Sequence, residues 1–333
     1  MDSERPIILI LGPTAGGKTR LAIDLARALP DGGECISADS MQVYRGMDIG
    51  TAKPTAREQA EVPHHLLDIV DPSDETFSVD TWLNLAEEAI AAIRGRGRYP
   101  IVVGGTNLYV QALLAGLLEG PEPDVPLRRS LQTLDTTSLR QRLLKVDPAA
   151  AQRIHPNDRK RTIRAIEVQE QTGRPLSDLQ RQWQSGRIRD DVRILGLEWP
   201  VEAVNRRINA RVRAMIEAGL AEEARGLWEA GRLGRQAREA LGYKQIIDHL
   251  EGRLTLDEAT EQIKIRTRRF AKQQRTWLRR FRRHRCSTWF DASDLAPQDL
   301  VRKALEALSA PVAQRPEKDM RPANNPAHGG NCS

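Results

Sequence analysis

Aromatic residues are scarce, 4% of a 333-residue chain, although a hydrophobic content of 40% still allows a full core. Cysteine is scarcer. Cys35, Cys286 and Cys332 are odd in number and far apart, which argues against a disulfide framework or a zinc site and fits a reducing cytosol. No apolar run approaches the roughly 20 residues of a membrane span, and Met1 to Pro6 does not read as a signal peptide. We therefore expect a soluble, cytoplasmic protein without membrane contact. No internal repeat is present. Acid is missing from one stretch in particular: between Lys264 and Arg285 lie eleven lysines and arginines and no aspartate or glutamate. The net charge of +6 is thus unevenly spread, and the basic stretch points to a partner carrying many phosphates.

What is present begins at Gly12-Pro13-Thr14-Ala15-Gly16-Gly17-Lys18-Thr19, which reads G-x-x-x-x-G-K-T without a mismatch. It follows the apolar run Ile7 to Leu11 and precedes the amphipathic stretch Arg20 to Leu29, giving strand, loop and helix. In such a loop the backbone N–H groups and the helix N-terminus converge on an anion. The lysine adds a point charge, and the Thr19 hydroxyl is placed to ligate Mg²⁺. A di- or triphosphate is the expected ligand.

Further along, short apolar runs alternate with helical spacing. Glu34 to Ala38 reads as a strand ending in Asp39-Ser40, Met41 to Thr55 as loop, His64 to Val70 as a strand, Ser78 to Arg94 as a helix, and Pro100 to Val103 as a buried strand ending in Gly104-Gly105-Thr106. This order predicts an α/β fold with a P-loop NTPase-like parallel sheet core. Residues 116–190 change character: polar helices (Pro126 to Leu134, Ser138 to Lys145, and one running to Thr172) and no convincing strand. They read as a helical insertion. Val192 to Leu197 returns the chain to the sheet, and long helices follow: Val201 to Ala218, Leu220 to Glu229, Gly242 to Glu251 and Leu256 to Arg285. A last short strand is expected at Cys286 to Asp291 and a last helix at Leu300 to Leu308. The expected organisation is a core of 1–115 and 191–310, the insertion between them, and a disordered tail at 311–333, rich in Pro, Asn, Gly and charge.

The chemistry is narrowed by two further absences. NTPases usually hold Mg²⁺ with an acid at the end of an apolar strand, yet Ile101 to Val103 ends in Gly-Gly-Thr. The guanine-reading N-K-x-D is absent too. A motor ATPase or GTPase is excluded. A small-molecule kinase, with Asp39 accepting a proton from a substrate hydroxyl, remains.

A set of blocks in order, GPTAGGKT (12–19), ISADSMQVYRGMDIGTAKP (36–54), PHHLLDIVDP (63–72), VVGGTNLYVQALL (102–114), IHPNDRKRTIRAIEV (154–168), LGYKQ (241–245) and RRFAKQQRTWLRR (268–280), resembles the bacterial tRNA dimethylallyltransferase (tRNA isopentenyltransferase) family. Two departures stand out: Gly16 where Ser is common, and Gln273 where Arg is frequent, which would remove one RNA phosphate contact. The resemblance implies transfer of a dimethylallyl group from dimethylallyl diphosphate to the exocyclic amine of the adenosine 3′ of the anticodon, in tRNAs reading codons that begin with U. Diphosphate would leave into the loop of Gly12 to Thr19, with Lys18 catalytic and Thr19 on Mg²⁺. Asp39 would be the general base, and an arginine at 207 or 211 would meet the diphosphate. We name Arg207 catalytic and Arg211 diphosphate-binding, since spacing cannot separate two residues on one helix face.

The resemblance further implies tRNA contact by Asp39, Ser40, Met41, Gln42, Thr106, Arg128, Lys160, Arg161, Thr162, Ile163, Arg164, Gly242, Tyr243, Lys272 and Arg275, in a monomer. His64, His65 and His155 lack a third ligand at sensible spacing and read as structural. Trp277 and Phe281, four apart amid the arginines, read as the buried stripe of their helix rather than as stacking platforms.

Overall fold

In a computed structural model, residues 5–117, 120–184 and 189–310 are described. The expectation of a disordered tail, and Cys332, lie outside them. Six strands form one parallel sheet in the order β3-β2-β4-β1-β5-β6. They are β1 (Ile7–Leu11), β2 (Gly33–Ala38), β3 (His64–His65), β4 (Tyr99–Gly104), β5 (Val192–Glu198) and β6 (Ser287–Asp291). β1 and β2 are buried along their whole length and β4 from Pro100 onward, as strands covered on both faces require. One face packs on α3 (Val79–Gly95) and α4 (Asn107–Ala115), around Trp82 and Val102; the other on α1 (Lys18–Ala28) and α15 (Pro297–Ser309), around Ile8, Leu25 and Ala304. The chain leaves β1 for β2 but β4 lies between them, so a crevice opens at the carboxyl end of β1. Ligands collect at such a switch in strand order.

The predicted strand at 64–70 is only two residues long. Leu66 and Asp68 adopt φ of 61° and 55°, left-handed values that end the strand. The chain there serves instead to hold the preceding loop. Asp68 donates its N–H to the Gln42 carbonyl, and its carboxylate receives the Lys53 ammonium, whose side chain is 3% exposed. A short helix, α2 (Ala56–Glu61), opens with a capping box at Thr55 and Glu58.

Among the described residues between α4 and β5, the elements are all helices: α5 (Val125–Thr133), α6 (Thr136–Val146), α7 (Pro148–Arg153), α8 (Arg159–Thr172) and α9 (Leu176–Gln184). They bury their own apolar cluster, with Leu139, Leu143, Ile163 and Ile166 at its centre. After β5 come α10 (Val201–Glu217), α11 (Leu220–Glu229), α12 (Arg235–Arg238), α13 (Tyr243–Leu250) and α14 (Leu256–Phe281). These pack around Val43, Tyr44, Ile208 and Tyr243 and so bring α10, α13 and α14 over the crevice. The basic helix ends at Phe281, four residues earlier than its charge run. Phe281 is buried and Trp277 is partly covered by the same cluster, their rings stacked at 6.1 Å, which agrees with a core stripe.

Candidate active site at the P-loop

The glycine-rich loop leaves β1 at Leu11, and Gly17 caps α1 in a left-handed conformation. The first N–H groups of α1 have no partner within the helix and face the loop's concavity, a ready anion site. Gly16 donates its N–H to the Pro13 carbonyl, and a Cβ at position 16 would lie 2.8 Å from that oxygen. The loop of this chain thus closes too tightly for the serine common at that position. Ala15 is left-handed too (φ 58°), which costs about 1–2 kcal/mol for a residue with a side chain. Its carbonyl accepts from Arg207 Nε at 2.6 Å, and the next carbonyl, of Gly16, accepts from the Trp199 indole at 3.0 Å. Arg207 also lies over the Trp199 ring. The strained turn is therefore gripped from outside by α10 and the end of β5.

The cations differ in setting. Lys18 Nζ donates to the carbonyls of Gly12 and Pro13, and burial pushes its pKa down to about 8, with Arg211 adding to the fall and Asp39 opposing it. Burial also lowers the Arg211 guanidinium; Asp39 opposes and Arg207 reinforces the shift. Arg207, four residues away on the same face, is exposed. Two cavities meet at these groups. One, of about 490 Å³, is lined by the loop from Thr14 to Thr19, by Asp39 and Gly105, and by both arginines. The other, of about 320 Å³, is lined by Ser40, Met41, Thr106, Val212, Gly242 and Phe270. Thr14, Asp39, Arg211 and Phe270 line both. Asp39 thus stands where the P-loop cavity, which Lys18 lines, meets a second, largely apolar chamber.

The acceptor-side residues are ordered by local bonds. Asp39 Oδ1 accepts the Met41 N–H, and Thr106 Oγ1 accepts the Ser40 N–H at 2.9 Å, so Thr106 shapes the turn beside Asp39. Gln42 lines the P-loop cavity with both ends of its amide already bonded. Its Oε1 accepts from Ser37 and its Nε2 donates to the Thr51 and Ala52 carbonyls, which ties down the loop above β2. Tyr243 is fully buried, with its hydroxyl on Glu223 at 2.5 Å; burial and Glu223 push its pKa far up. The same carboxylate accepts the N–H groups of Asp48, Ile49 and Gly50. Tyr243 thus supports the loop from within and has no surface to offer RNA.

In the insertion, Thr162 and Ile163 are buried in the helical cluster. Arg128 and Arg164 both bond Glu167, itself fully buried. Burial pushes that carboxyl up, but the two arginines hold it below its ordinary value. Thr162 and Ile163 thus belong to the insertion's core, while Arg128 and Arg164 are half-buried and tied to Glu167, and Lys160 and Arg161 are exposed at the start of α8. On α14, Lys272 and Gln273 are exposed and Arg275 is half-buried.

Two residues at the site carry signals that motif reading passes over. Gln274 sits at helical spacing between Ala271 and Leu278, a polar residue in an apolar stripe, and Trp199 stands just past the carboxyl end of β5. His65 bonds Glu34, and His64 Nδ1 bonds the Val62 carbonyl. Among the described residues, no group of three or more His, Cys, Asp or Glu side chains could hold a metal ion, and no helix is long and apolar enough to cross a membrane.

Comparison with known proteins gives the family of the chain. The family model "IPP transferase" matches residues 42–281, and "Isopentenyl transferase" matches residues 5–69. The chain is 49% identical to the tRNA dimethylallyltransferase of Geobacillus kaustophilus over 293 residues, 86% of this chain and 91% of the relative. It is 47% identical to that of Syntrophobacter fumaroxidans, over 87% of this chain and 84% of the relative. Among solved structures, the tRNA isopentenylpyrophosphate transferase of Bacillus halodurans superimposes with a TM-score of 0.66 at 41% identity, covering 91% of this chain and 97% of that one. A eukaryotic dimethylallyltransferase described as acting on tRNA gives 0.77 at 29% identity, covering 92% and 81%. The small-molecule kinase reading finds no favour among these relatives. The P-loop, the acid after the second strand and the basic helix that covers them belong together: this chain is a member of the IPP transferase family, the tRNA dimethylallyltransferases.

Proposed function

We propose that this protein transfers a dimethylallyl group from dimethylallyl diphosphate to tRNA, at the exocyclic amine of the adenosine 3′ of the anticodon. The observation that carries the reading is Asp39, which lines both the P-loop cavity and the neighbouring apolar one. In the reaction the amine nitrogen bonds the allylic carbon, the carbon–oxygen bond breaks, and its electron pair leaves with diphosphate. The loop N–H groups and Lys18 stabilise the charge that builds on the leaving group, which is where such donors lower a barrier most. Arg207 and Arg211 add cationic charge at the same oxygens. An aromatic amine is a weak nucleophile and must shed a proton as it attacks; Asp39 accepts it. The target base must leave its stack to reach this depth, and the basic face around Lys272 and Arg275, with Lys160 and Arg161 of the insertion, holds the anticodon stem-loop by its phosphates.

Mg²⁺ fits the donors present. The Thr19 hydroxyl at the head of α1 would hold it in the cavity that Asp39 also lines, and the rest of its shell would come from diphosphate and water oxygens, as this ion prefers. When bound, it neutralises charge on the diphosphate. We assign the active form as a monomer, to be checked by light scattering. The placement of the new group is tested by digesting reacted tRNA to nucleosides. Mass spectrometry should find a dimethylallyl adenosine from the position 3′ of the anticodon, and in tRNAs that read U-initial codons. Modification elsewhere would contradict the assignment.

A further inference from the structure

Gln274 interrupts the apolar stripe of α14 and is 2% exposed. A buried amide needs partners at both ends, and this one has them in two different parts of the site. Its Oε1 accepts the Thr14 N–H of the P-loop at 2.8 Å, and its Nε2 donates to the Gly105 carbonyl at 3.2 Å. Thr14 belongs to the cradle for the leaving group. Gly105 precedes Thr106, whose hydroxyl holds Ser40 beside Asp39. The space for the amide exists because position 105 is glycine: a Cβ there would lie 2.6 Å from Gln274 Nε2.

We infer that Gln274 is a positioning residue for the transfer, a single amide that keeps the diphosphate cradle in register with the turn carrying the acceptor-side groups. This rests on the transfer reaction proposed above. The P-loop hangs from β1 and the Thr106 turn from β4, two separate connections that can shift against each other at their tips. A side chain of fixed length bonded to both backbones removes that freedom. A misplacement of about 1 Å at reacting groups costs on the order of 10²-fold in rate. Because α14 also carries Lys272 and Arg275, seating of RNA phosphates on its outer face bears on the same clasp.

Gln274→Met, close in volume but without either bond, should lower kcat about 10- to 100-fold. Affinity for inorganic diphosphate and for tRNA, each measured alone, should stay within about threefold, and the melting temperature within a few degrees. Gly105→Ala, which expels the amide from the other side, should show the same split. The double variant should be little worse than either single one, since both remove one contact. The inference is overturned if kcat holds while stability falls, if the loss lies only in diphosphate affinity, or if the two losses multiply. The wild-type control separates the two claims: no dimethylallyl transfer by wild type overturns the reaction itself, whereas full transfer by the variants overturns only the clasp.

Discussion

At the scale of single residues, the site depends on charge held under tension. Asp39 faces Lys18 and Arg211 across a pocket in which burial lowers both cations. Removing the proton acceptor, Asp39→Ala, should cut transfer about 10²- to 10⁴-fold while tRNA affinity measured by filter binding stays near wild type. Lys18 has its own pH signature. Its pKa is lowered to about 8, so the ammonium that attracts diphosphate is present below that pH and lost above it. Affinity for inorganic diphosphate, measured by calorimetry, should therefore fall as pH rises through about 8. Lys18→Met should bind weakly and show no such fall. The residues that motif reading found here are those whose chemistry is carried by identity and spacing: Gly12 to Thr19, Asp39, Thr106. Gln274 and Trp199 were not legible that way. Their roles rest on hydrogen bonds to backbone atoms 260 and 183 positions away, which no local pattern encodes.

At the scale of elements, loop 41–55 and helix α14 decide how the site is framed. The loop buries Val43, Tyr44 and Met47 against the helices and is held by two ionic groups, buried Lys53 from one side and half-buried Glu223 from the other. Glu223→Ala strips an acceptor from three backbone N–H groups and the Tyr243 hydroxyl and should cost about 1–3 kcal/mol or more, read as a lower melting temperature. Gly50→Ala should be at least as harmful, since a Cβ would lie 2.4 Å from the Tyr243 ring. Composition gave this segment as loop and periodicity gave α3, α10 and α14 within a few residues. A longer third strand is expected because His64 to Val70 is apolar enough for sheet, whereas Leu66 and Asp68 turn left-handed and Asp68 is bonded to Gln42 and Lys53. For α14, the outer face is an electrostatic surface. Lys272→Ala and Arg275→Ala should each weaken tRNA binding evenly across sequences and reduce the slope of log affinity against log salt by about 1. A change in base preference without a change in slope would contradict phosphate contact.

At the scale of the molecule, a parallel sheet with the glycine-rich loop at the carboxyl end of β1 is combined with a separate helical cluster and a helical layer that closes over the crevice. The α/β alternation was legible because parallel strands buried on both faces are continuous apolar runs. The internal ion pairs of the insertion were not. Arg128 and Arg164 look like RNA-facing charge in sequence, yet both are drawn to Glu167, an acid whose burial only the packed helices reveal. The P-loop itself takes on a different meaning in this setting. The proposed reaction makes it, beside Asp39 and beneath a basic helix, a cradle for a departing diphosphate and gives ATP no part. The direct measurement is incubation of the protein with labelled dimethylallyl diphosphate, Mg²⁺ and unmodified tRNA. Label should pass to the tRNA with release of diphosphate, equally well without ATP; unlabelled tRNA alongside phosphate released from ATP would contradict the account.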